Sequence, residues 1–177
     1  MVEYVDDNKH IADSRGVTVA LESVWSLPTY QRLSQILVTL RPVIVHFYNT
    51  FARILASAYA ACRAAGVPVV QTLHNYRSVC PAAILLRQGQ VCDDSVGIHL
   101  SWPSVRNGCY HGSRRQTAVV AGLLGVRPWY PTLSEPVDVY AALTHFAKRK
   151  LVEGGLSADR IVVKPNFIAD PGVRTPN

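Results

Sequence analysis

Short polar clusters follow the apolar runs of this sequence, and they carry the residue types best suited to binding or catalysis. Asn49-Thr50 follows the run 43–48, His74-Asn75-Tyr76-Arg77 follows the run 69–73, and Thr144-His145 follows the run 137–143. If these runs are strands of an open parallel sheet, the clusters meet, because ligands bind beyond the carboxyl ends of such strands. The sequence therefore predicts a cleft at which the clusters converge.

His74 has the clearest chemical potential among these residues. An imidazole titrates near neutral pH, so it can donate a hydrogen bond to a substrate hydroxyl or stabilise developing charge. The alternative is a structural histidine bonded to a nearby carbonyl group, and position alone leaves both open. His46 lies inside an apolar run, so we expect it to occupy the core or to support a neighbouring site residue.

Positive charge suggests anionic partners without choosing among them. The net charge is +6, and Arg77 and Arg114-Arg115 are candidate ligands for a phosphate or a lipid pyrophosphate. The alternative is that these arginines face water, as we expect of Lys148-Arg149-Lys150. The sequence has no P-loop and no G-x-G-x-x-G motif, and its basic residues are not interleaved with aromatic ones. Nucleotide binding by this domain and a nucleic-acid partner are therefore not expected.

The cysteines raise the question of a metal site. Cys80, Cys92 and Cys109, with His111, could in principle bind zinc, but their separations are wide and no C-x-x-C motif occurs. Free thiols are the alternative that we favour. We expect no metal and no other cofactor.

A group of aromatic and apolar residues suggests peripheral contact with a membrane. It comprises Trp102, Trp129, Tyr130 and the stretch 118–126, and ordinary core packing is the alternative. The start of the chain lacks the basic and apolar regions of a signal peptide, and no apolar run approaches the roughly 20 residues that span a bilayer. We expect a cytoplasmic protein, with contact at the inner face of the membrane left open.

The elements that must position these residues alternate between strands and helices. Strands are predicted at 43–48 (buried on both faces), 69–73, 137–143 and 161–163, and helices at 28–40, 51–65, 114–124 and 145–153. Residues 78–112 form a long irregular loop, of a kind that is usually functional. Hydrophobic residues make up 49% of the 177, enough for one packed domain. The alternation predicts an α/β, Rossmann-like parallel sheet with flanking helices.

Several ordered blocks of the sequence resemble one known family. They are RPVIVHFYNTF, GVPVVQTLHNYRSVCP, CYHGS, LTHFAKRKLVEGGL and RIVVKPNFI. Together they are similar to the N-terminal domain of family 4 glycosyltransferases, the retaining enzymes of the GT-B fold. The resemblance runs from about residue 23 to 171, which is most of the chain.

The resemblance implies a division of labour between two domains. In such enzymes the N-terminal domain binds a glycan or lipid-linked acceptor, the C-terminal domain binds the nucleotide-sugar donor, and the reaction takes place in the cleft between them. In relatives, the position matching His74 lies in that cleft and contacts the donor sugar, the position matching Thr144 faces the same cleft, and Asn49-Thr50 match a loop at its edge. Together with the polar clusters, this predicts a catalytic role for His74 and substrate-binding roles for Asn49, Thr50, Asn75, Tyr76, Arg77, Thr144 and His145. The chain departs from the pattern at Tyr48, where relatives often have a second histidine, and at His145, where they often have glutamate. Ser95 stands where some relatives have cysteine, which weakens the zinc hypothesis further.

The same resemblance implies that the chain is half of a GT-B fold. We expect residues 1–168 to form the acceptor-binding domain without its first strand, and residues 169–177 to begin a linker to a donor-binding domain. Such a fragment would have no transferase activity alone. Two alternatives stay open: a non-catalytic sugar- or membrane-binding module, and a basic interaction domain with or without zinc.

Overall fold

A parallel sheet forms the centre of the domain. The computed structural model describes residues 25–48, 55–126 and 137–167, and all that follows refers to them. The helices are α1 (Leu27–Leu40), α2 (Leu55–Ala64), α3 (Trp102–Asn107), α4 (Arg114–Val126) and α5 (His145–Glu153). The strands are β1 (Val45–Tyr48), β2 (Val69–Leu73), β3 (Leu86–Arg87), β4 (Gln90–Val91), β5 (Val139–Ala142) and β6 (Ile161–Val163). Short 3-10 turns occur at His99–Ser101 and Ala158–Arg160.

The sheet has the parallel topology that the sequence predicts. Strands β1, β2, β5 and β6 are hydrogen-bonded in that order, and every pair is parallel. The connection from β1 to β2 contains the helix α2, as the parallel pairing of these strands requires. The domain therefore has the α/β, Rossmann-like architecture that the sequence predicts, a parallel sheet with flanking helices. The strands β3 and β4 form a separate antiparallel hairpin within residues 78–112.

Local signals in the sequence fix the ends of several helices. The hydroxyl of Ser26 accepts a hydrogen bond from the Thr29 backbone N–H, which satisfies one free donor at the start of α1. Gly66 follows α2 with a φ of 65°, a left-handed conformation in which glycine is unstrained. Ser113 caps α4 in the same way as Ser26 caps α1, through the Gln116 N–H at 3.3 Å. These caps are the predicted ones.

The core lies on one face of the sheet. Alternate residues of the strands, among them Val69, Leu73, Tyr140, Ala142 and Ile161, are buried in one cluster. Tyr59 and Cys62 of α2, Leu37 of α1, and Ala147 and Leu151 of α5 pack against them. Burial of this apolar surface holds the helices on the sheet. It leaves the intervening strand positions on the opposite face.

The structure corrects two predictions and leaves others outside its range. The first strand covers 45–48 rather than 43–48, and it is not buried on both faces, since His46 and Tyr48 are exposed. These side chains are exposed because β1 is the edge strand of the described sheet and pairs with β2 alone. Residues 78–112 contain a hairpin and the helix α3, so they are not simply an irregular loop. Asn49, Thr50, Trp129, Tyr130 and the terminal segments 1–24 and 168–177 lie outside the described residues.

Candidate active site

The strand register brings several of the predicted site residues to one edge. Thr72 pairs with Tyr48 on one side, and Leu73 pairs with Ala142 on the other. The clusters that begin at His74 and Thr144 therefore leave the sheet from neighbouring strands at their carboxyl ends. This is the edge at which open parallel sheets bind ligands.

A polar stripe runs along the face of the sheet opposite the core. Paired residues of parallel strands point to the same face, and so does every second residue of one strand. His46, Tyr48, Thr72 and His74 consequently share a face, and Lys164 continues the same alternation beyond β6. The Lys164 N–H still donates to the Ala142 carbonyl at 2.8 Å, so this extension of the strand is in register. We call these five residues the polar stripe.

Direct contacts join four members of the polar stripe, namely His46, Tyr48, Thr72 and His74. The Nε2 atom of His46 lies 2.7 Å from the Thr72 hydroxyl, across the β1–β2 pair. The Tyr48 ring centroid is 4.1 Å from that of His46 and 5.8 Å from that of His74. Tyr48 therefore stands between the two imidazoles, at the position where relatives often have a second histidine.

The surroundings of His46 lower the pKa of its imidazole. Partial burial of the ring has the largest effect, and the electrostatic influence of Lys164 and His74 lowers the pKa further. The hydrogen bond between the His46 ring and the buried Thr72 hydroxyl is suited to holding the neighbouring side chains in place. The side chain of His46 is exposed rather than in the core, and its support of a site residue stays a prediction.

His74 and Asn75 are exposed at the end of β2. The side-chain oxygen of Asn75 accepts a hydrogen bond from the Arg77 backbone N–H at 3.0 Å, which turns the chain away from the sheet. This turn presents the His74 imidazole at the edge. The geometry suits hydrogen bonding from His74 to a ligand above the strand ends.

Tyr76 and Arg77 make their main contacts within the protein. The Tyr76 ring meets the Phe146 ring edge to face, with centroids 6.2 Å apart. The guanidinium of Arg77 donates to the Pro81 carbonyl and lies over the Tyr110 ring, 5.0 Å from its centroid. Arg77 is half-buried, and burial lowers its pKa. Both side chains thus fix the start of residues 78–112 beside the site, and substrate binding by them stays a prediction.

Thr144 and His145 form the start of α5, at the end of the adjacent strand. The Thr144 hydroxyl accepts a hydrogen bond from the Ala147 N–H at 3.0 Å and so caps the helix, as predicted. Both residues are exposed. The positive end of the α5 dipole and the charge of Lys164 lie at the same edge, an arrangement that favours an anionic ligand.

Sequence reasoning missed Lys164 and the pairing of His46 with Thr72. Lys164 follows the run 161–163 directly, so the rule that selected the other clusters would also have selected it. The pairing depends on the register between β1 and β2, which no local pattern fixes. Period-two alternation in 43–48 was the available signal that His46 and Tyr48 share a face.

The cysteines and the exposed arginines do not join this site. Cys80 is buried and Cys92 and Cys109 are half-buried, all as free thiols. Within 25–48, 55–126 and 137–167, no three histidine, cysteine or acidic side chains are grouped so that they could hold a metal ion. Arg114 and Arg115 are exposed at the start of α4. In the same part of the chain, no helix combines the length and the apolar character needed to cross a bilayer.

The parallel sheet, with its polar edge, defines an α/β, Rossmann-like domain that is consistent with half of a GT-B fold. A family model described as glycosyl transferase 4-like domain matches residues 11–166. The chain therefore belongs to the glycosyl transferase 4-like family, and the resemblance noted in its sequence is confirmed. Neither the curated proteins nor the solved structures gave a match.

Proposed function

We propose that this domain binds the acceptor, and one side of the donor sugar, in a glycosyltransferase that uses a nucleotide-sugar donor. The observation that carries the proposal is the polar stripe, which ends at an exposed His74 on the carboxyl edge of a parallel sheet. Hydroxyl-rich ligands need several convergent hydrogen-bonding groups. The imidazole of His74, the hydroxyls of Tyr48 and Thr144, and the amide of Asn75 are groups of this kind.

In the proposed reaction, negative charge develops near Lys164 and the start of α5, which are the positive groups at this edge. A bond forms between an acceptor hydroxyl oxygen and the anomeric carbon, while the bond from that carbon to the nucleoside diphosphate breaks. The acceptor proton leaves with the diphosphate or with solvent, and the anomeric configuration is retained. Lys164 and the start of α5 would stabilise the diphosphate electrostatically, and His74 would donate to a hydroxyl of the donor sugar. The proposal requires no metal.

We further propose that residues 1–168 form the acceptor-binding domain and that 169–177 begin a linker to a donor-binding domain. The family model ends at residue 166, which supports a domain boundary near this point. The isolated chain would then bind ligand without turning it over. A sugar-nucleotide turnover assay on the purified chain tests this division, and clear turnover would contradict it. We place the protein in the cytoplasm, where nucleotide sugars are available.

Ligand binding is the sharper test. Saturation-transfer NMR would measure contact between the chain and a panel of glycans, lipid-linked sugars and nucleotide sugars. His74→Asn should weaken the contact by about tenfold, the effect of losing one good hydrogen bond to a charged or sugar group. His99→Asn is the control, since His99 is also exposed but lies in the 3-10 turn His99–Ser101 and not at the end of a strand of the parallel sheet. Equal effects of the two variants would refute a role for His74.

A further inference from the structure

A small cavity lies at the ends of α4 and α5, apart from the carboxyl edge of the sheet. Its volume is about 190 Å³, and its walls come from residues of 78–101 together with Leu124, Gly125 and Gly154. Gly154 is the residue that ends α5, whereas Thr144 at the start of α5 belongs to the carboxyl edge. The nine residues of this helix span about 13 Å, so the cavity is separate from the candidate active site.

Close packing of the backbone forms the walls of the cavity. A side chain at Gly97 would come within 2.8 Å of the Glu153 carbonyl oxygen, at the end of α5. A side chain at Gly125, in the last turn of α4, would overlap Leu100. The segment 95–101 is therefore packed against the ends of both helices, which makes the cavity a preformed one.

Buried hydroxyl groups line this cavity. Ser95 and Ser101 are lining residues, and they are 6% and 5% exposed. The Ser95 hydroxyl lies 2.7 Å from the Ser104 hydroxyl and accepts a hydrogen bond from the Ser104 N–H at 3.2 Å, so it is held in place. Ser101 directly precedes α3, but its hydroxyl does not cap that helix. A buried hydroxyl in a cavity wall, with no role in capping its own helix, is suited to bonding with a bound molecule, because buried polar groups are costly to leave unbonded.

The walls disfavour charged ligands. Among the described lining residues there is no aspartate, glutamate, lysine or arginine, and His99 is exposed at the rim. The negative ends of two helix dipoles, those of α4 and α5, lie at the cavity and disfavour an anion. An ammonium group would have no carboxylate in the walls with which to pair. Apolar side chains complete the lining and suit C–H groups, namely Val79, Ile98 and Leu124.

We propose that this cavity binds a small neutral polyol, a short carbon chain that carries several hydroxyl groups. A cavity of roughly 150 Å³ holds a molecule as large as benzene, so this one has room for about six to ten non-hydrogen atoms. Polyols of about three to five carbon atoms have this size. Glycans, lipid-linked sugars and nucleotide sugars are larger, and the inference does not rest on the proposed transferase function.

An NMR titration of the isotope-labelled full chain with erythritol and xylitol tests the proposal. The amide shifts should fall on residues 95–101, Gly125 and Gly154, while His74 stays unmoved. Ethanolamine, a cation, and glycolate, an anion, are small hydroxylated probes of opposite charge. Both should bind at least about tenfold more weakly than erythritol, since the walls offer no charged partner.

Two variants remove different properties of the cavity. Ser101 has a φ of 44°, a conformation in which glycine is unstrained, so Ser101→Gly keeps the backbone and removes only the hydroxyl. Its affinity for erythritol should fall by about three- to tenfold, the effect of one neutral hydrogen bond. Ser78 is a half-buried lining residue, and Ser78→Leu should abolish binding because the larger side chain fills the cavity.

Ser157→Ala is the control, because Ser157 is exposed and does not line the cavity. This variant should bind erythritol as the parent does. Circular dichroism and thermal melting would show that each variant keeps its fold, and Ser101→Gly decides alone if Ser78→Leu does not fold. The proposal is overturned if neither polyol shifts the cavity residues, if the charged probes bind as tightly as erythritol, or if folded Ser101→Gly retains the affinity of the parent.

Discussion

Thr144 has two roles that separate variants can distinguish. Its hydroxyl caps α5 through the Ala147 N–H at 3.0 Å, and it also stands at the edge where we propose that substrate binds. Removing the hydroxyl in Thr144→Ala leaves that N–H without its protein partner. Since Thr144 is exposed, the substitution leaves no core cavity, and the lost cap is the whole structural effect.

The size of the effect follows from the cap. Loss of a threonine cap costs about 1 kcal/mol, within a range of roughly 0.5–2 kcal/mol. For a domain of this size that lowers the melting temperature by about 2–4 °C. Thr144→Asp keeps a capping oxygen and places a negative charge at the positive end of α5, so we expect stability equal to the parent or a few tenths of a kcal/mol higher. The same carboxylate would repel a diphosphate at this edge.

Two assays on the same variants separate the effect of the helix cap on stability from the effect of Thr144 on ligand binding. Urea denaturation gives the free energy of unfolding, and nucleotide-sugar titration by NMR gives the affinity. We expect Thr144→Ala to lose stability, and Thr144→Asp to keep stability but lose at least about tenfold in affinity. Thr144→Ser should resemble the parent in both. The reasoning is refuted if Thr144→Ala is as stable as the parent, or if Thr144→Asp binds donor as tightly.

Other predictions concern His46, two glycines and the thiols. The lowered pKa of His46 means that the folded state binds this proton more weakly than the unfolded state, so its contribution to stability is present above pH ~6.5 and falls as pH drops below it. His46→Gln should therefore reduce the loss of stability in urea melts between about pH 6.5 and 5, and an unchanged pH profile would contradict this. A side chain at Gly154 would overlap Val79, whereas one at Gly122 meets nothing within 4 Å. Gly154→Ala should lower the free energy of unfolding by about 1–3 kcal/mol, and Gly122→Ala in α4 should raise it by up to about 1 kcal/mol, both measured by urea denaturation. Similar values for the two variants would count against the packing of Gly154 on Val79. Burial raises the pKa of the Cys62 thiol to about 11. Iodoacetamide at pH 8 should therefore label Cys92 and Cys109 long before Cys62, as mass spectrometry of the labelled chain would show. Fast labelling of Cys62 would contradict its burial.

Local sequence patterns predicted those helices whose ends are marked by capping residues. Ser26, Gly66 and Thr144 mark helix ends through hydrogen bonds or backbone conformations that each residue type favours by itself. The apolar run 69–73 became a buried strand because helices cover the core face of its sheet. The run 43–48 looks the same in sequence, yet its strand ends the described sheet and exposes every second residue.

The sequence predicted at which edge of the sheet the candidate site lies, but it did not predict the contacts between the site residues. Placing polar clusters after apolar runs identified His74 and Thr144, since parallel strands share one carboxyl edge. The bond between His46 and Thr72 joins residues 26 positions apart, so it follows only from the register of two strands. The attachment of Arg77 to the Pro81 carbonyl depends likewise on how residues 78–112 fold back.

The central claim is that the carboxyl edge of the sheet binds the sugar substrates. Amide chemical-shift mapping of the isotope-labelled chain with nucleotide sugars and candidate acceptors tests it most directly. We predict that the largest shifts fall on His74, Thr144 and Lys164, with smaller shifts at His46 and Tyr48. Shifts confined to the hairpin or to the covered face around Leu151, with His74 and Thr144 unmoved, would contradict the claim.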